Sequence, residues 1–434
     1  MTFTPTRRSI LGAAALSVPT LALASCGGGE AERNAEGKIE LTMAAWSIAT
    51  TPEFEVIVDG FEAANPDATI VLKEYSADDY DTQLTTDLSA NSAPDVFPLK
   101  NLEPYFYYQS NGALADLTDQ ASSLREDGNI ELDLLDLDGG IYALPYRQDS
   151  WVVYYNKEMF AAAGIDEPDG SWTWDDFADM AEELTGALEG TDYQAKGAYM
   201  HNWQSIVQSF ALAQTDGADL ASGDLSYMAP YYERLLAMQD AGSTETFSTV
   251  DSQSLSYQAQ FGTQKAAMMP MGTWYIGTLL AQRESGDADE FEWGMAPAPQ
   301  QTSGAGPITF GDPTTLAINA ELSGEKLEAA QSFLDYIVSE DCSKALAEIG
   351  ITPSYFSDDV VDTIFSLDGM PDDELSRTAF ADTQVEAENP IGEFTNDIVT
   401  ILEDTHSEIL TESSPVDVAL TKAEEQLDNE GLTA

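Results

Sequence analysis

The sequence predicts an α/β protein of two lobes, and three observations carry that expectation. The chain has 434 residues, too many for one ordinary core and suited to two of common domain size. With 43% hydrophobic and 10% aromatic residues it can fill both. Its body alternates short period-two stretches with longer helical-period ones, the pattern of an open sheet covered by helices.

Ile39, Leu41, Met43 and Ala45 alternate with Glu40, Thr42 and Ala44, which reads as a strand ending at Trp46. Thr51-Pro52-Glu53 opens a helix with Phe54, Ile57, Val58 and Phe61 on one face, stopped at Asn65-Pro66. Thr69 to Lys73 reads as a strand, Tyr80, Leu84 and Leu88 as a helix, and Pro94 to Phe97 as a third strand. Thr173 and Asp176 form a capping-box pattern ahead of Phe177, Met180, Ala181 and Leu184. Thr314 to Ile318 reads as a strand, and Leu327, Ala330, Leu334 and Ile337 as the inner face of the following helix. Ser414-Pro415-Val416-Asp417 is expected to cap a last helix carrying Leu420, Ala423 and Leu427. No internal repeat is visible.

The 77 acidic residues against 17 basic ones give a net charge of −60. Such a surface repels phosphates and excludes nucleic acid as a partner. It favours solubility and suits salty surroundings. Two His and two Cys are too few for zinc clusters or a disulfide framework, and no metal or cofactor is expected. No GxSxG accompanies His201 or His406, and no P-loop or GxGxxG follows a strand. His406 reads as an exposed side chain on a polar helix, His201 as a surface or cleft side chain beside Asn202-Trp203. With so many carboxylates, any chosen acid pair is uninformative. Cys342, beside Asp341 in a helical pattern, reads as a small core residue. Recognition without reaction is the expectation.

The first 25 residues contain no acid and read as a processing segment. Thr6-Arg7-Arg8-Ser9-Ile10-Leu11 resembles a twin-arginine export signal, and the apolar stretch Ile10 to Leu23 is too short for a permanent span. Leu23-Ala24-Ser25-Cys26 resembles a bacterial lipobox, which implies cleavage before Cys26 and acylation of its thiol. Residues 26–37, polar and Gly-rich, are expected to be a flexible tether. The expectation is an exported protein, lipid-anchored at the outer face of the cytoplasmic membrane.

Several segments, in order, resemble a family. Gly140-Ile141-Tyr142-Ala143-Leu144-Pro145, Val152-Val153-Tyr154-Tyr155-Asn156-Lys157-Glu158-Met159-Phe160 and Ala163-Gly164 look like its signature stretch. Ser171 to Phe177, Ala93 to Phe97, Gln264 to Met268, Gly272-Thr273-Trp274, Trp293 to Pro297 and Gly350 to Pro353 are similar to further landmarks. Together they resemble the family-one extracellular solute-binding proteins, the maltose- and oligosaccharide-binding type that serves ABC importers. The resemblance implies a two-lobed periplasmic-binding-protein-like fold, with a hinge and an interdomain ligand cleft. It implies crossings near Ala143–Tyr146, Gly306–Pro313 and Ala347–Pro353. The N-terminal lobe is then 38–143 plus 313–346, and the C-terminal lobe 144–312 plus 347–434. The implied partners are an oligosaccharide and the permease subunits of an importer, with the protein itself a monomer.

A pyranose offers an apolar face to Trp or Tyr and a ring of hydroxyls to carboxylates and amides, so aromatics on loops at strand ends are the candidates. Trp274 falls on the family's stacking aromatic, with Tyr275 beside it. Trp46 follows the first strand and either contacts ligand or caps the lobe core. Trp203 lies before the amphipathic stretch Ile206 to Leu212, while Trp172, Trp174 and Trp293 fall on structural positions. Asp149 leads the polar candidates, with Trp151 on the same side of the strand by the period of two. Asp312 sits at the second crossing. Lys100 and Asn101 occupy a loop where the family places hydrogen-bonding residues, though a solvated Lys100 stays open. Tyr355 and Phe394 are candidates for a second aromatic wall. Two rival readings stand beside the sugar binder: a binding protein for a cationic ligand such as a polyamine, and an exported glycan hydrolase.

Overall fold

The computed structural model describes residues 33–433 apart from 49–50, 77–78, 128 and 131. The export signal and Cys26 lie outside the described residues. The strands in chain order are β1 (Ile39–Trp46), β2 (Ala68–Tyr75), β3 (Val96–Leu99), β4 (Leu144–Gln148), β5 (Trp151–Asn156), β6 (Lys196–Ala198), β7 (Ala266–Gly272), β8 (Trp293–Pro297), β9 (Ile308–Phe310), β10 (Pro313–Ile318) and β11 (Gln384–Glu386).

Two sheets, each with its own core, build the two lobes. The first has the order β2-β1-β3-β10-β4. β1 runs parallel to β2 from Ile39↔Ala68 to Trp46↔Tyr75, and β10 is antiparallel to β3 and β4. Leu41, Met43, Phe97 and Leu316 of this sheet are fully buried, with Phe54, Ile57 and Phe61 of the helix Glu53–Ala64 and Phe333 of the helix Gly324–Ile337 in the same core. The second sheet has the order β6-β7-β5-β8, with β6 parallel to β7 and β5 antiparallel to both its neighbours. Its core takes Val153, Tyr154, Met268, Met271 and Met295 together with Trp172, Trp174 and Trp293. The helix Trp174–Leu188 begins with the capping box expected of Thr173 and Asp176, which satisfies two orphan N–H groups at once. A small parallel pair, β11-β9, completes the second lobe.

The chain passes from the first sheet to the second at Asp149-Ser150, between β4 and β5, and returns at Gly311-Asp312, between β9 and β10. These two segments touch: a Cβ on Gly311 would lie 2.0 Å from the Asp149 carbonyl oxygen. Only glycine allows the approach. A third passage follows the helix Glu340–Ala347, where Leu346 packs into the first core and Ala347 into the second.

Four expectations need correction here. The boundary at 143/144 cuts too early, because β4 pairs with β10 in the first sheet. In sequence Leu144-Pro145 separates two strand-like stretches and so reads as a break, but β4 is an edge strand, where a missing N–H is tolerated. The tether is shorter than 26–37: Arg33 bridges to Ile39 and pairs with Glu325 at 3.1 Å, which folds the turn 34–37 onto the first lobe. His406 is buried, because the helix Thr395–Leu410 buries a stripe of Ile398, Leu402, Thr405, His406 and Ile409. The last helix, Val416–Glu430, has Pro415 at its N-cap and no side-chain cap bond from Ser414. Cys342 is a buried thiol whose pKa burial pushes up to about 12, in keeping with a core residue.

Candidate functional site

Strand direction determines where the lobes face each other. In the first sheet, β1, β2 and β3 are parallel, so their C-terminal ends share one edge with the end of β4 and the start of β10. In the second, β6 and β7 end on the edge where β5 begins. Both chain crossings join these two edges. The space between the lobes is therefore walled by loops at the carboxyl ends of parallel strands, the general ligand position in open α/β sheets.

On the first-lobe wall, Trp46 closes β1 half-buried, edge-on to Phe54 at 4.9 Å and to Tyr80 at 5.0 Å. Lys100, just after β3, holds its ammonium 5.0 Å from the Trp46 ring and 5.1 Å from that of Tyr80. Asn101 accepts the Glu103 N–H through Oδ1 at 3.2 Å and shapes the loop. The second-lobe wall is aromatic. Trp203, 39% exposed, stands 6.3 Å from Trp274, with Tyr257 and His201 against it at 5.7 and 4.5 Å. Trp274 follows β7 and is half-buried; a Cβ on Gly272 would lie 2.0 Å from its Cζ3 atom. That glycine lets the ring fold back over the strand end.

Between the walls lies a charged floor. Arg147 binds Glu53 at 3.0 Å and Asp149 at 2.5 Å, and Asp149 accepts the Thr273 hydroxyl at 2.9 Å. This buried chain links the helix Glu53–Ala64, the first crossing and the loop after β7. Burial pushes the Asp149 carboxyl upward, opposed by the guanidinium beside it. Asp312 accepts the Leu102 N–H at 3.2 Å and the Glu388 N–H at 3.0 Å, tying one lobe to the other. With its amide turned to meet its acceptors, Asn396 donates to the Glu103 carbonyl at 2.9 Å.

Several sequence-predicted positions fall elsewhere than expected. Asp149 lies in the crossing, outside any strand, so the period of two does not relate it to Trp151. Trp151 is buried, 5.5 Å from Trp274 and 5.1 Å from Phe310, and backs the aromatic wall from behind. Tyr275 is buried in the helix Tyr275–Ser285 with its hydroxyl donating to Gln258 O, so it supports the loop from inside the core. Tyr355 accepts the Asn129 amide at 3.1 Å and packs on both cores. Phe394, 37% exposed, precedes the helix that carries Asn396. Sequence reasoning left out Tyr257, Glu103, Glu388 and Arg147. The alternation Tyr199, His201, Trp203 was a usable signal for the wall beyond β6.

Among the described residues no group of three or more His, Cys, Asp or Glu is arranged to hold a metal ion. No helix among them is long and apolar enough to cross a membrane. A separate cavity of about 660 Å³ opens beside Leu280, Arg283 and Leu367, where Arg283 is already engaged by Glu290 and the Gly369 carbonyl. It offers no aromatic face, so the interlobe edge is the better candidate.

The carboxylates at the crossing carry a pH signature. Burial, then the negative charges of Glu403, Asp81 and Asp312, raises Glu103 from an ordinary 4.5 to about 7. Burial and the charge of Asp312 also push Glu388 well up. A raised carboxylate penalises the folded state fully above its folded pKa, and the penalty fades as pH falls toward the unfolded value. Between pH 8 and 6.5 the melting temperature should therefore rise as pH falls. Below 6.5 the two histidines oppose this, since burial lowers His201 to about 4 and His406 to about 3. Glu388→Gln should flatten the rise between pH 8 and 6.5, as read by differential scanning calorimetry.

Two α/β lobes joined at facing sheet edges, with an aromatic wall between them, define a two-lobed binding protein of the periplasmic type. The family profile described as bacterial extracellular solute-binding protein matches residues 45–341, and the chain belongs to that family. A multiple sugar-binding protein of Streptococcus mutans is 23% identical over 78% of this chain and 80% of its own length. A sugar transporter from Rhizobium etli in an open conformation aligns with a TM-score of 0.78 and 28% identity, over 89% of this chain and 99% of that one. An ABC substrate-binding protein from Listeria monocytogenes, in complex with cycloalternan, gives 0.76 and 21% over 91% and 99%.

Proposed function

We propose that this protein captures an oligosaccharide between its lobes and delivers it to the permease of an ABC importer, without turning it over. The observation that carries the reading is the pair of facing walls: Trp203 and Trp274 on one lobe, Trp46 with Lys100 on the other. Indole faces remove the apolar face of a pyranose from water, while the Lys100 ammonium and the Asn101 side-chain amide offer partners to its hydroxyls. The family supports capture, and the sugar ligands named for its relatives support the ligand class. Cys26, in its lipobox context, would hold the mature chain at the membrane beside the permease.

A second reading has its own support. Asp81, Glu103, Asp312 and Glu388 gather near the crossing, and such a field favours a cationic ligand. A thermal-shift screen separates the two. Neutral di- to tetrasaccharides, cycloalternan included, should raise the melting temperature by about 3 °C at a hundred times Kd, by mass action. Spermidine alone producing that shift would transfer the protein to the cationic class, and steady release of reducing ends from the sugars would make it a hydrolase.

A further inference from the structure

Beside the aromatic wall lies a histidine whose tautomer the structure determines. The Tyr199 hydroxyl donates to the Leu255 carbonyl at 2.8 Å, an acceptor that cannot donate in return. Tyr199 thereby commits its only proton. It also lies 2.8 Å from His201 Nδ1, so in that contact the imidazole must be the donor. The proton of the neutral ring is therefore on Nδ1, and Nε2 carries a lone pair. Tyr199 is buried and its carbonyl partner is backbone, so the lock is anchored in the core. The ring itself is half-buried, 4.5 Å from Trp203 and 5.5 Å from Tyr257, at the end of β6 on the interlobe edge.

We propose that His201 Nε2 is a preset hydrogen-bond acceptor that selects a ligand hydroxyl next to the Trp203 face, with Tyr199 as its positioning residue. The inference rests on the saccharide reading above. Its chemistry is specific. A neutral sugar hydroxyl donates to Nε2, whereas a uronate carboxylate presents only acceptors there and meets the lone pair of the ring. The subsite accordingly takes neutral sugars and rejects uronates. Burial, which lowers the His201 pKa to about 4, keeps the ring neutral at working pH.

Only two histidines, His201 and His406, occur in the chain, so nitrogen-15 NMR of labelled full-length protein at pH 7 reads the tautomer directly. The His201→Phe spectrum identifies which signals belong to His201. The expected result is a protonated Nδ1 and an unprotonated Nε2 before ligand is added, and a shift of Nε2 on addition of the tightest-binding neutral oligosaccharide from the screen. By calorimetry, His201→Phe should weaken that sugar about tenfold, one hydrogen bond to a buried acceptor. Tyr199→Phe should weaken it several-fold in the wild-type background and not at all in His201→Phe. An Nε2-protonated ring, or losses that simply multiply in the double variant, would overturn this assignment while leaving the saccharide reading standing. Binding of no sugar would overturn both.

Discussion

Replacing Trp203 with Ala should weaken oligosaccharide binding about 30-fold while moving the melting temperature of the ligand-free protein by no more than about 2 °C. Truncating a buried aromatic anchor in a complex costs about 2 kcal/mol or more, and each 1.4 kcal/mol is tenfold in affinity. The indole is 39% exposed without ligand, and its ring neighbours Trp274, Tyr257 and His201 are themselves half-buried, while Trp151, 6.3 Å away, lies in the core. A surface substitution of this kind usually changes stability by less than about 0.5 kcal/mol. Trp274→Ala differs in one respect: its ring packs on Gly272 and Trp151, so it should lose stability as well as affinity. Calorimetry with ligand and melting without it separate the two effects. An unchanged Kd in Trp203→Ala would remove that wall from the binding surface.

Arg147→Ala should be the most destabilising single change at the site, by about 3–5 kcal/mol. Among the described residues, the guanidinium is the one cationic partner of Glu53, which is 2% exposed, and of Asp149, which is 4% exposed. Its removal leaves two buried carboxylates without a counter-charge, with the Tyr146 hydroxyl still donating to Glu53 and Thr273 to Asp149. The cost is the exposure of that imbalance rather than the net worth of the ion pairs. Chemical denaturation should show it at pH 7, and Arg147→Lys should recover only part, since one ammonium cannot span both carboxylates as the fork does. A loss below about 1 kcal/mol would mean that water reaches the floor.

Much of the frame was legible in sequence because its signals are local. β1 comes out at Ile39–Trp46, and the capping box at Thr173 and Asp176 is present atom for atom. The long-range features were less legible. Pro145 reads as a break, and only the pairing of β4 with a strand almost 170 residues later makes it an edge-strand residue. The stripe that buries His406 is a helical period interrupted by acids, which hides it among 77 others. The aromatic candidates divide by depth, which spacing does not encode. Trp151, Trp203 and Trp274 all sit at strand ends, yet Trp151 is buried behind the other two. Asp149 stands out in sequence as a cleft carboxylate, but its oxygens are engaged by Arg147, two residues before it, and by Thr273, a contact that arises only when the loop after β7 comes against the crossing.

The most direct test of the central claim is the crystal structure of the protein with the oligosaccharide that stabilises it most. The expected result is a sugar ring against the Trp203 and Trp274 faces, between the lobes and opposite Trp46, with a hydroxyl within hydrogen-bond distance of His201 Nε2. Sugar density on an outer face of either lobe, with the space between Trp46 and Trp203 holding only water, would contradict it.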